Sequence, residues 1–179
     1  IMHVWKDGQA RIPGYLDDHA YLIDGLLTLH EATFDQRWLE EAVSLTDEMI
    51  ARFADKDEPG VFFDTSRDHQ SLFVRPRDTF DSVTASGSSA ATNVLLRMAV
   101  VTGEAQYHDV AISMLSSVYD QMVKHPYASA KWLCSLDLAL FGPIEFTIVG
   151  DPQNPDSKAL LDTIRRRFLP NRVLLGRKP

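Results

Sequence analysis

Apolar residues return at helical spacing through most of the chain, with polar residues between them. In residues 14–35, Leu16, Ile23, Leu26, Leu27 and His30 share one face, and Asp17 or Asp18 stands where an N-cap is expected. After a break at Phe34-Asp35-Gln36, a second helix is predicted over 37–54, with Leu39, Ala42, Val43, Leu45, Met49, Ile50 and Phe53 as its stripe. Helices joined this briefly pack antiparallel. Further helices are predicted over 86–103, 105–124 and 127–141, stopped by Gly103, by His125-Pro126 and by Gly142-Pro143.

Two stretches break the helical period. Residues 58–78 hold two Val- and Phe-rich runs, Val61–Thr65 and Ser71–Arg75, around a polar Ser66–Gln70, which predicts a β-hairpin closed by Pro76. The tail reads IEFTIVG, then KALLDTIRRRFLP, then NRVLLG: strand, helix, strand, the order of a parallel pair with a crossover helix. The expected division is therefore 1–142, holding helix hairpins 14–54 and 86–124, the β-hairpin 58–78 and the last helix 127–141, followed by a β-α-β unit over 143–179.

The chain also repeats. At a constant offset of 69, Leu26 meets Leu95, Leu27 meets Leu96, Thr33 meets Thr102, Trp38 meets Tyr107 and Ala42 meets Ala111. A repeated helix hairpin must stack on neighbours to cover its apolar face, either in a row or in a closed ring. The inserted β-hairpin favours the ring. Extended backwards, the offset pairs Asp17 with Ser86, Asp24 with Asn93 and Thr28 with Arg97. Positions 17, 20 or 21, 24 and 28 lie on one helix face, so both first helices carry a polar stripe. Such stripes form either a cavity wall or a solvated face.

Composition narrows the function classes. In 179 residues, 45% are apolar and 24% charged, the balance of a globular protein, and no apolar run is long enough to span a membrane. The net charge of −7 argues against a nucleic-acid surface. The single cysteine, Cys134, excludes an internal disulfide and a Cys-based zinc site within this chain. The start, IMHVWKDGQA, has no signal-peptide pattern, and with Ile1 in first place it reads as a piece of a longer, cytoplasmic protein.

The segments GYLDDHAYLIDGLL, PGVFFDTSRDHQSLFVRPRDTFDSVTASGSSAATNVLLR and IEFTIVG…FLPNRVLL resemble the YyaL-like family, the spermatogenesis-associated, thioredoxin-domain-containing group, in one order over nearly the whole chain. The resemblance implies a mainly α fold, part of an (α/α) toroid similar to N-acylglucosamine 2-epimerases and six-hairpin glycosidases. Its partners would be an N-terminal thioredoxin-like domain and the remaining toroid helices. Where relatives tend to read Pro-Ser-Gly-Asn-Ser, this chain has Ala85-Ser86-Gly87-Ser88-Ser89 and lacks the amide.

Each candidate site residue carries a chemical reading and a plainer one. In similar toroids, carboxylates placed like Asp17, Asp18 and Asp24 act as general acid or base; the plainer role is helix capping. Tyr21 and Asn93 extend the polar stripes. Arg75, Arg77 and Asp78 either clamp an anionic or sugar-like ligand or hold the loop by Arg–Asp pairing. Ser86 and Ser88 precede a helix as half a phosphate cradle or as its cap. His19 and His69 are acid/base candidates without metal-ligand spacing, and His30 is a packing residue. Cys134, in an apolar helix, is expected buried, and Trp38 and Tyr107 are expected in outer-helix packing. Arg165, Arg166, Arg167 and Arg172 form a solvated or docking patch. No cofactor or metal is expected. Two functions stand: a non-catalytic ligand-binding or interaction module, or a carbohydrate-active enzyme.

Overall fold

A computed structural model of the chain describes residues 1–69, 73–151 and 153–177. It opens with an antiparallel hairpin not among the expected elements, β1 (Met2–Lys6) and β2 (Gln9–Pro13), turning through Asp7-Gly8. Both turn residues have positive φ, 53° and 74°. That geometry suits the twist of a two-residue hairpin, and Asp-Gly is its sequence signature.

The rest of the chain is mainly helical, as expected. Helices α1 (Leu16–Thr33) and α2 (Gln36–Phe53) form one antiparallel hairpin, and α3 (Gly87–Thr102) and α4 (Ala105–Ser117) form the next. The two turns are built alike. Thr33 donates to the Leu29 carbonyl and accepts from the Asp35 amide; Thr102 does the same with Met98 and Glu104. Phe34 and Gly103, paired by the offset of 69, both end their helix in the left-handed region, at φ 56° and 77°. Ala42 and Ala111 are both fully buried.

Two helix boundaries differ from the expected ones. The segment 105–124 divides at Val118 into α4 and α5 (Tyr119–Lys124). There Ser116 and Ser117 bond back to the Ile112 and Met114 carbonyls, which competes with the backbone ladder. The segment 127–141 begins as a 3₁₀ turn, Pro126–Ala128, before α6 (Ala130–Phe141).

Helices α1, α3 and α6 lie side by side, with α2 outside α1 and α4 outside α3. The main core joins them through Leu16, Ile23, Met49, Phe53, Met114 and Trp132, all nearly inaccessible. Asp81 ties two helix starts together. Its buried carboxylate accepts from the Ser86 amide (2.9 Å) and the Ser89 hydroxyl at α3, and from the Lys131 amide (2.8 Å) at α6.

The β-hairpin expected over 58–78 is not a ladder among the described residues. Part of its second run, residues 71 and 72, lies outside them, as does residue 70. The first run crosses the end of α2: Phe62 bridges Ala54, and the Phe63 amide donates to Phe53. A single backbone bond, Asp64 amide to Pro76 carbonyl, links it to the later segment. Burial of Val61 and Phe62 against the helices decides this pairing.

The tail forms β3 (Ile144–Val149), α7 (Pro155–Arg165) and β4 (Arg172–Arg177), with the strands parallel. A second, smaller core joins Ile148, Leu161 and Leu174 to Phe34 at the end of α1. The Phe34 ring lies on the backbone of Gly176, where a Cβ would come within 2.0 Å of it. Arg165 donates to the Glu31 and Ala32 carbonyls, capping the same helix end.

Candidate functional site

The starts of α1 and α3 touch. A Cβ on Gly87 would stand 3.0 Å from the Asp17 amide and 3.3 Å from the Leu16 side chain. A side chain here would press on both, so glycine eases the close approach of the two helix N-termini. Asp17 and Ser86, paired by the repeat, therefore line one cavity of about 290 Å³ together with Asp64, Asp78, Tyr15 and Phe80.

Asp64 is the residue that sequence reasoning missed. The loop fixes it from three sides. Its carbonyl accepts the first amide of α1, from Leu16 (2.9 Å); its amide donates to Pro76 (2.9 Å); its Oδ2 accepts the Asp78 amide at 3.0 Å. Burial pushes its carboxyl up to about 6, helped by the negative charges of Asp78 and Asp17 and opposed by the Asp78 amide and the Arg77 charge. An acid inside the apolar run Val61–Thr65 was the available signal.

The predicted residues divide by what already occupies them. Asp17 is exposed at the cavity, its Oδ1 accepting the Asp18 amide. Asp18 turns away, to the Tyr15 amide (2.9 Å) and His3 Nδ1 (2.7 Å), so it closes the start of α1 from inside the first turn and the N-cap is Tyr15. Tyr21 donates to the Ala85 carbonyl at 2.9 Å, and burial with the charges of Asp17 and Asp81 raises its phenol. Ser86 is the N-cap of α3, its Oγ accepting from the Ser89 amide. Ser88 is buried outside the cavity lining, its Oγ unpartnered among the described residues.

Arg75 serves the loop itself. It donates to the Thr65 carbonyl and stacks 4.1 Å over the Phe63 ring. Arg77 is exposed and reaches Ser117 Oγ at 3.3 Å. Asp78 faces the cavity, with its Oδ1 accepting the Phe80 amide.

Asp24 and Asn93 belong to a second cavity, of about 720 Å³, further along the same helix faces. There Arg97 of α3 binds both Asp24 and Glu31 of α1, the latter at 3.0 Å, and Lys131 Nζ donates to Asn93 Oδ1 at 2.9 Å. Asp24 is thus committed to an ion pair between α1 and α3 and stands apart from Asp17. Cys134 also corrects the expectation: it is exposed and lines this cavity. The polar stripes of α1 and α3 consequently line hollows over their whole length, at Asp17, Tyr21, Asp24 and Thr28 and at Ser86, Asn93 and Arg97.

The histidines mostly serve packing. His30 is buried with Nδ1 3.2 Å from the Asp35 carbonyl, and His19 is buried against Phe53. Tyr107 is buried and donates to Asp47 at 2.7 Å, while Trp38 packs on the core under the Arg37 guanidinium. Among the described residues no group of three or more His, Cys, Asp or Glu is arranged to hold a metal ion, and no helix is long and apolar enough to cross a membrane.

No family model matches the chain. Over 162 residues, 90% of its length, it is 32% identical to spermatogenesis-associated protein 20 of Rattus norvegicus and of Mus musculus, and 30% identical to that of Homo sapiens. The chain spans about a fifth of the length of these relatives, 20–21% of each.

Proposed function

We propose that the chain, 30–32% identical to spermatogenesis-associated protein 20 over 90% of its length, belongs with the YyaL-like, spermatogenesis-associated family and forms one wall of a larger (α/α) toroid whose hollow binds a small, sugar-like polar ligand. The observation that carries this reading is the shared cavity of Asp17, Asp64, Asp78 and Ser86 at the starts of two repeat-related inner helices. Its mix of carboxylates, a hydroxyl and the rings of Tyr15 and Phe80 suits a ligand rich in hydroxyl groups.

The outer layer supports the incomplete ring. Helices α1 and α3 each have an outer partner of their own, and α6, touched by α4 at its side, has no such partner among the described residues. An apolar groove of about 320 Å³ lined by Leu96, Ala99, Val100 and Leu138 runs beside it, and Leu140 and Phe141 stand exposed. The remaining toroid helices and the thioredoxin-like domain of the full-length protein are the proposed cover. The test is calorimetric titration of the full-length protein against a panel of monosaccharides and disaccharides, with Asp17→Asn and Asp78→Asn as controls. Saturable binding that both variants weaken supports the reading; no binding to any member of the panel removes it.

A second reading, acid–base catalysis on a carbohydrate, is favoured by Asp64. A carboxyl held near 6 is suited to donate a proton at neutral pH, with Asp17 as the paired base. Turnover of a chromogenic glycoside that is lost in Asp64→Asn while binding persists would establish it. Binding without turnover would leave the module non-catalytic.

A further inference from the structure

His19 is fully buried between α1 and α2, and its surroundings are unbalanced. Its Nδ1 lies 2.8 Å from the Tyr15 carbonyl. A carbonyl only accepts, so Nδ1 carries the proton, and in the neutral ring Nε2 offers a lone pair alone. That lone pair has no hydrogen-bond partner among the described residues. Glu48 Oε1 lies 3.9 Å away on α2 and is itself an acceptor. The ring is fixed edge-on against Phe53, with centroids 4.8 Å apart, so it cannot turn Nε2 elsewhere without losing that packing.

Glu48 is bound on its other side. Arg52 Nη1 donates to it at 2.6 Å, and Arg52 Nη2 donates to Asp68 at 3.0 Å. Asp68 sits in the loop that carries Asp64. The Arg52 carbonyl also accepts from the Arg67 amide of that loop, at 3.2 Å.

We propose that His19, Glu48 and Arg52 form a proton-operated latch, in which a proton gained at His19 Nε2 draws Glu48 toward α1 and away from Arg52, leaving Arg52 to the loop carboxylate of Asp68. The balance is simple: one proton from solvent binds Nε2, an Nε2–H···Oε1 bond forms, and the Arg52–Glu48 bond lengthens. The groups facing the ring are the Tyr15 carbonyl and Glu48 and Arg52 of α2, with Ile1 nearby. Burial holds His19 below its ordinary value, supported by the positive charge of Arg52 and opposed by the Tyr15 carbonyl and Glu48. The neutral ring, with Glu48 on Arg52, is therefore the resting state at pH 7. The latch acts on the position of the Asp64 loop and stands whether or not the neighbouring cavity binds a sugar.

The test is an NMR titration of the 179-residue chain that follows the His19 Cε1–H and Arg52 Nε–H signals from pH 8 downward. In the wild type both signals shift with one midpoint, below 6.5. In Glu48→Gln the His19 midpoint moves to lower pH and the Arg52 signal no longer follows it. In Arg52→Met, which removes a positive charge and frees Glu48, the His19 midpoint moves to higher pH. An Arg52 signal that stays flat through the His19 titration overturns the latch. So does a His19 midpoint that is the same in wild type and both variants.

Discussion

Replacing Asp64 by Asn separates the electrostatic cost of that position from its hydrogen bonding. The amide side chain keeps an oxygen for the Asp78 amide but cannot ionise. In the folded chain the Asp64 carboxyl titrates at about 6, against an ordinary 3.8. The folded state thus holds its proton more tightly than the unfolded chain. Stability from this group is complete below pH 3.8 and is lost as pH rises through about 6. A shift of about two units corresponds to roughly 3 kcal/mol at full effect. Asp64 is only partly buried and opens to a cavity, so solvent screening reduces this to about 1–2 kcal/mol. Asp64→Asn should therefore be more stable than wild type by about 1–2 kcal/mol at pH 7.5, a rise of roughly 3–6 °C in Tm for a chain of this size. At pH 3.5 the two should coincide. Urea unfolding of both proteins across pH 3.5–8 gives the difference directly and cancels the other carboxylates. A difference that stays constant with pH, or a variant less stable at pH 7.5, would refute the burial-driven account of this residue.

Asp81→Ala removes the buried acceptor for the Ser86 amide, the Ser89 hydroxyl and the Lys131 amide, and should cost about 3–5 kcal/mol in urea unfolding; a loss under about 1 kcal/mol would contradict its role as a shared clamp. Gly176→Ala puts a methyl group onto the Phe34 ring and should cost about 1–3 kcal/mol, with faster amide exchange confined to β3, α7 and β4; Phe34→Ala in the same chain should remove the added penalty of the methyl group. Thr33→Val and Thr102→Val delete equivalent turn bonds and should each cost about 0.5–1.5 kcal/mol. Unequal losses by more than about 1 kcal/mol would show that the two turns are not energetically equivalent.

The helices were legible in the sequence because their stability follows local rules. Apolar residues at three- and four-residue steps define a face, and Asp35, Ser86 and Gly103 mark ends through bonds made within a few residues. The offset of 69 was legible for the same reason: Thr33 and Thr102, or Phe34 and Gly103, solve one local turn problem twice. Asp7-Gly8 carries the N-terminal hairpin as a two-residue turn signal, a weaker mark than the long helical periods that follow it.

Other features depended on what the chain meets far from itself. The pairing of residues 61–65 was set by burial of Val61 and Phe62 against the helices, which no alternation pattern contains. The roles of the candidate residues were settled the same way. Asp18 and Asp17 are neighbours in sequence, yet one turns to His3 and the other to the cavity. Asp24 was claimed by Arg97 from a helix some seventy positions away, and Arg75 by the carbonyl of Thr65. Asp64 gained its raised carboxyl only when folding buried it beside Asp17 and Asp78. Local spacing fixes which residues can share a helix face, whereas burial and charge at a site are sums over neighbours that only the folded chain brings together.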